Sequence, residues 1–168
     1  LGTRRVNVLL GGPGGTFGVP TAYAAPVLGE SDIPGITTMA LGDIDRDGQT
    51  DIVVALISTG LAQPLLILRN DGAGGFAQQF VIPGFHNGYH WGVTLGDLDH
   101  DGDLDVVSTS ALPGAIYVWE NIGAPGAAPA FRAPVKIADG GFYRDALIAN
   151  IDGDCDADIL SVDIGGST

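Results

Sequence analysis

Aspartates recur at alternate positions in three short stretches of this chain. In the first, Asp43, Asp45, Asp47 and Asp51 fall at positions 1, 3, 5 and 9, and Gln49 at position 7 can offer its backbone carbonyl. The second repeats the spacing with Asp97, Asp99, Asp101 and Asp105, with Asp103 at position 7. The third has Asn150, Asp152, Asp154 and Asp158, with Asp156 at position 7. Carboxylates that alternate along a tightly turned loop point to its inside, and such a cage of hard oxygens is what Ca2+ takes. Glycine at position 6 permits the sharp turn, and Gly48 and Gly102 stand there. In the third loop Cys155 replaces that glycine and Asn150 removes one charge, so it is the weakest of three expected Ca2+ sites. Mg2+ fits less well because it keeps its waters, and Zn2+ would call for histidine or cysteine. An EF-hand is the rival for this spacing, but it needs a glutamate at position 12, where Val54 and Ser108 stand.

Thirteen of the 20 acidic residues lie in these loops, so without cations each loop would gather carboxylates that repel one another. The formal charge of −13 and the scatter of seven lysines and arginines exclude a basic face for nucleic acid, and they disfavour an anionic membrane. The sequence has no apolar run long enough to span a bilayer as a helix. With one cysteine, Cys155, no disulfide forms within the chain, so packing and metal are left to supply stability. The chain starts at Leu1 without a signal peptide, as expected of a mature or excised piece.

The loops belong to a longer repeat. The segments LGDIDRDGQTDIVVA, LGDLDHDGDLDVVST and IANIDGDCDADILSV are one motif, and Asp43, Asp97 and Asn150 are 54 and 53 residues apart. That period suits a four-stranded propeller blade. Within the first period the strands are expected at ITTMAL, DIVVALIS, PLLILRN and FAQQFVI, and within the second at VTL, DVVSTS, AIYVWEN and FRAPVKI. The fold class is therefore all-β, with blades at 35–83 and 89–138, the second half of a blade at 1–28 and the first half of another at 142–168. Residues 1–168 form a single repeat region of three circularly permuted repeats. Three blades do not close the usual ring of four to eight. The ring is completed either by a second copy, through the complementary ends near Arg5 and Thr168, or by a longer chain.

These marks, the D-x-D-x-D-G-x-x-D loops at Asp43–Asp51 and Asp97–Asp105 and the G-G-x-F turns at Gly14–Phe17 and, one residue shorter, Gly74–Phe76, resemble the FG-GAP/VCBS repeat family. Its members include the integrin α-subunit propeller and many bacterial secreted proteins. The resemblance implies that the loops fasten the first two strands of each blade with a structural metal, and that ligands bind on the opposite face. It also implies an extracellular, secreted or cell-surface protein active in adhesion, in carbohydrate or protein binding, or beside a polysaccharide-degrading domain. Millimolar extracellular calcium would fill such sites.

The connections that would open on that opposite face differ most between repeats. There His86, Tyr89, His90, Trp91, Tyr143, Arg144 and Asp145 are the candidate ligand contacts, with aromatic faces suited to sugar rings and Arg144 and Asp145 to hydroxyls. The same aromatics could instead pack between blades. His86 and His90 are four apart, a spacing that converges on a metal only on a helix, and glycine interrupts this stretch. No nucleophile elbow, phosphate loop or Ser–His pairing is present, so no catalysis is expected.

Overall fold

The computed structural model describes residues 5–24, 35–58, 65–82, 84 and 88–165. Alternation of apolar side chains with β-branched content makes strands, and turns rich in glycine and aspartate end them. The strands are β1 (Arg5–Val8), β2 (Thr21–Ala24), β3 (Gly35–Gly42), β4 (Asp51–Ser58), β5 (Leu65–Arg69), β6 (Gln78–Ile82), β7 (Gly88–Gly96), β8 (Asp105–Ala111), β9 (Gly114–Trp119), β10 (Val135–Asp139), β11 (Tyr143–Ala149) and β12 (Asp158–Asp163).

Strands β3 to β6 form one antiparallel four-stranded meander and β7 to β10 a second. A two-residue ladder, Ile57 with Tyr89 and Ser58 with Gly88, joins β4 to β7 and links the two meanders. Strands β1 and β2 pair with each other, as do β11 and β12. The architecture is all-β and fits propeller blades. Strand β10 starts at Val135, later than the FRAPVKI segment would place it. Phe131 makes only an isolated bridge to Asn121, and Pro134 has no N–H to give to a ladder.

Both faces of the middle strands are buried: β4 reads as a continuous apolar run, while β8 buries Ser108, Thr109 and Ser110 beside its valines. Successive side chains point to opposite faces. Ile52, Val54 and Leu56 therefore pack with Leu66, Leu68, Phe76 and Val6 of β1, while Val53 and Ala55 pack with Leu65 and Ile67 against Val93, Val106 and Trp119 of the second blade. Val107 and Ile116 on that blade's far side meet Ala146, Ile148 and Ile159 of the β11–β12 pair. Burying each Leu or Ile is worth about 1.5–3 kcal/mol. The result is a row of four stacked layers: a strand pair, two blades, and a strand pair.

Close approach of the layers requires glycine just before the loops. A Cβ on Gly42 would lie 2.6 Å from a methyl of Leu104, and one on Gly96 would lie 2.9 Å from Ile148. The last layer has one neighbour among the described residues, so Leu147 on its outer face is 64% exposed and Val162 56%.

Candidate metal centre

Each acidic loop joins the first strand of a layer to the second: β3 to β4, β7 to β8, and β11 to β12. The loops are shaped by their own carboxylates, which accept backbone N–H bonds from inside the turn. Asp43 accepts from Asp47 at 3.0 Å and Gly48 at 2.9 Å, Asp97 from Gly102 at 3.1 Å, and Asn150 Oδ1 from Gly153 at 2.6 Å. Position 5 bonds the N–H of position 7 in every loop: Asp47 to Gln49 at 2.9 Å, Asp101 to Asp103 at 3.0 Å, and Asp154 to Asp156 at 2.9 Å.

Position 9 acts as a strap. Both oxygens of Asp51 accept backbone N–H groups, from Ile44 at 3.1 Å and from Asn70 at 2.8 Å. Those of Asp105 accept from Leu98 at 3.0 Å and Asn121 at 2.8 Å, so the carboxylate ties the loop's start to the end of the third strand. Asp158 bonds Ile151 at 2.7 Å. Each carboxylate oxygen keeps a second lone pair for another partner.

Two of the loops bring carboxylate oxygens together. One oxygen each from Asp43, Asp45 and Asp51 lies within 4.8 Å of the others, and the same holds for Asp97, Asp99 and Asp101. No such group of three forms in the third loop among the described residues. The donor sets are all hard oxygen, and Asp97 Oδ1 of the second group is buried without a hydrogen-bond partner. A cation placed among these oxygens would satisfy it, so the residues fit a metal such as Ca2+.

Crowding is visible in the protonation equilibria. Burial raises the Asp51 carboxyl above the ordinary carboxylate range against the pull of its backbone hydrogen bonds, with Asp45 and Asp47 adding to the rise. Burial does the same to Asp105 against its own backbone bonds. Asp103 is pushed up to about 6, by burial first and then by Asp101, with Arg46 opposing.

Position 4 takes a left-handed backbone in all three loops, φ being 57° at Arg46, 62° at His100 and 83° at Gly153. The side chains that result reach the following loop. Arg46 stands 3.3 Å from Asp103 and also donates to the Gly123 carbonyl, while His100 stands 3.3 Å from Asp156. From the sequence, a sharp glycine turn is expected at position 6 alone. The glycine at position 4 of the third loop was the signal for the second such position. Cys155 at position 6 holds φ at 78° without a glycine's freedom.

The second cation that sequence reasoning missed is Arg69. Its Nε meets Asp45 Oδ2, and its Nη2 lies 3.1 Å from Asp47 Oδ2. The β9–β10 connection covers the same loop: the Gly126 N–H bonds the Asp45 carbonyl at 2.6 Å and Asn121 Nδ2 bonds the Ile44 carbonyl at 2.8 Å.

The candidate ligand contacts gather at the other end of the first strands. Register shifts between Ile36 and Thr38, His90 and Gly92, and Tyr143 and Asp145 make Thr37, Trp91 and Arg144 bulge residues at one equivalent position. A bulge re-aims its side chain. Thr37 donates to the His90 carbonyl at 2.8 Å, and the Arg144 guanidinium lies 4.1 Å from the centre of the Trp91 ring, which is T-shaped to Phe142. Arg144 and Asp145 are exposed, Tyr89 and Tyr143 half-buried.

His90 is 3% exposed, next to Tyr117 and Trp119. Ser108 gives its hydroxyl proton to the Gly92 carbonyl at 2.8 Å, so His90 Nδ1, 2.8 Å from that oxygen, carries the proton between them. His86 and Thr168 lie outside the described residues. Among the described residues no helix is long and apolar enough to cross a membrane.

Residues 56–108 match the family described as FG-GAP-like repeat, a span running from the end of β4 through the second acidic loop into β8. No curated protein and no solved structure matches the chain.

Proposed function

Since the chain carries an FG-GAP-like repeat, we propose that it is a non-catalytic, calcium-stabilised propeller module that works outside the cell. Its acidic loops hold Ca2+ as a structural ion. Its opposite end, where Trp91 and Arg144 project from bulges, binds a carbohydrate or a protein in adhesion. The observation that carries the metal reading is the repeated grouping of three carboxylate oxygens within 4.8 Å, in two loops of different sequence. If bound, the ion would supply charge neutralisation and fix the loops. The chain's own carboxylates and backbone N–H groups already set the loop's curvature.

Calorimetric titration of the chelator-treated chain with CaCl2 tests this. Two equivalents bound, with Mg2+ failing to displace them at equal concentration, is the expected result. No heat of binding, together with the same melting temperature in calcium and in chelator, overturns it. Recognition is tested on a glycan array, where Arg144→Ala is expected to lose whatever signal the parent chain gives.

The exposed apolar outer face of β11–β12 favours a second reading alongside the first, in which half-blades are completed by another copy or by adjoining repeats, as an assembly unit or as an accessory to a polysaccharide-degrading domain. Sedimentation mass that rises with concentration in calcium supports self-completion, and a constant monomer mass rejects it.

A further inference from the structure

Corresponding positions of the two blades can be read from their straps. The N–H of Asn70 bonds Asp51 and that of Asn121 bonds Asp105, so Arg69 and Glu120, one residue earlier, occupy the same place. The charge there is reversed. Arg69 turns onto the first loop, with Nε on Asp45 and Nη2 3.1 Å from Asp47. Glu120 turns away from the second loop and pairs with Arg132 at 2.8 Å.

The oxygen groupings differ to match. The second loop gathers positions 1, 3 and 5, as Asp97, Asp99 and Asp101. The first gathers Asp43, Asp45 and Asp51, leaving out its position-5 carboxylate, Asp47, which Arg69 holds. A guanidinium is charged at every relevant pH, and a divalent ion drawn to the same oxygens would be repelled by it at contact distance.

We propose that Arg69 is a displaceable internal counter-cation that competes with the metal for Asp45 and Asp47, and so holds the first loop's affinity below the second's. This rests on the calcium reading above. A place for the displaced side chain exists. A cavity of about 430 Å³, lined by Arg69 and Asp47 themselves, continues to Gln49, Asn70, Asp71 and Gln78, and Arg69 Nη1 is already 3.5 Å from Gln78 Oε1. The first loop thus exchanges one cation for another, at a cost the second loop does not bear.

The test is calorimetric titration of the chelator-treated chain, its Arg69→Gln variant and its Glu120→Arg variant with CaCl2. In the parent chain two unequal constants are expected. Arg69→Gln tightens the weaker one by about tenfold or more and leaves the stronger unchanged, while Glu120→Arg weakens the stronger one. The Asp99→Ala, Asp101→Ala double variant removes the stronger constant and so assigns it to the second loop. Should that variant fail to fold, the Glu120→Arg shift makes the same assignment. Calcium binding with both constants unmoved by Arg69→Gln overturns the role of Arg69 and leaves the calcium reading standing. No binding by any of the proteins overturns both.

Discussion

The second and third acidic loops share one spacing of oxygen-bearing side chains and end in different states. The second is pressed between neighbours: Asp103 and Asp105 are buried, Arg46 reaches in from the layer before, and Gly96 lets Ile148 of the layer after come close. The third has a neighbour on one side only among the described residues, its residues 150–156 are exposed, and its carboxylates do not gather. Both groupings include the position-1 aspartate, where the third loop has Asn150, so a lost carboxylate and one-sided packing go together there.

The comparison is broken most directly at the straps. Asp105→Ala leaves two backbone N–H groups without their acceptor in a buried setting and is expected to cost about 3 kcal/mol, whereas Asp158→Ala should cost about 1 kcal/mol. Urea unfolding midpoints measure both, and equal losses would refute the role given to burial.

Acid should act on the two-sided layer in the same way. Burial lowers the His90 imidazole from 6.5 to about 4. The folded form thus resists the proton that the unfolded chain accepts, so this stability is whole above pH 6.5 and is lost as pH falls toward 4. The loss amounts to about 3 kcal/mol. Stability measured across this range should show it in the parent chain and not in His90→Gln.

If the loops hold Ca2+ as proposed, the ion at about a hundred times its dissociation constant should add about 2.7 kcal/mol per site through linkage to folding. The Asp99→Ala, Asp101→Ala variant should lose that increment at the second loop. Asp152→Ala with Asp154→Ala should keep the full calcium-dependent rise in melting temperature. The smallest effect belongs to the third loop's own backbone. Cys155→Gly relieves a left-handed cysteine and should stabilise the chain by about 0.5–1 kcal/mol after the entropy cost of glycine, as thermal unfolding in chelator would show.

Much of this architecture was legible in the residues because the physics is periodic. The unbroken apolar run Ile52–Leu56 announces a strand buried on both faces, and the returning aspartates set the layer spacing. The loops' curvature was legible at Gly48 and Gly102. Less legible was whatever one layer does to the next. Nothing in the neighbourhood of Arg69 in the sequence points to Asp45, because the strand ladder that brings them together is a tertiary fact. The bulge at Trp91 is likewise a consequence of pairing, although the variation among Thr37, Trp91 and Arg144 marked the place. His90 stood out as a ring suited to a ligand, and the structure sets it among Ser108, Tyr117 and Trp119, where its hydrogen bond is internal.

The contacts from position 4 of one loop to position 7 of the next, Arg46 to Asp103 and His100 to Asp156, give the layers an order. A gene duplication that copied the second layer behind itself would set His100 opposite another Asp103 and keep a carboxylate for it. Copying the first layer would set Arg46 opposite Gln49, which offers no charge. By this contact alone, a copy of the second layer fits behind itself better than a copy of the first does.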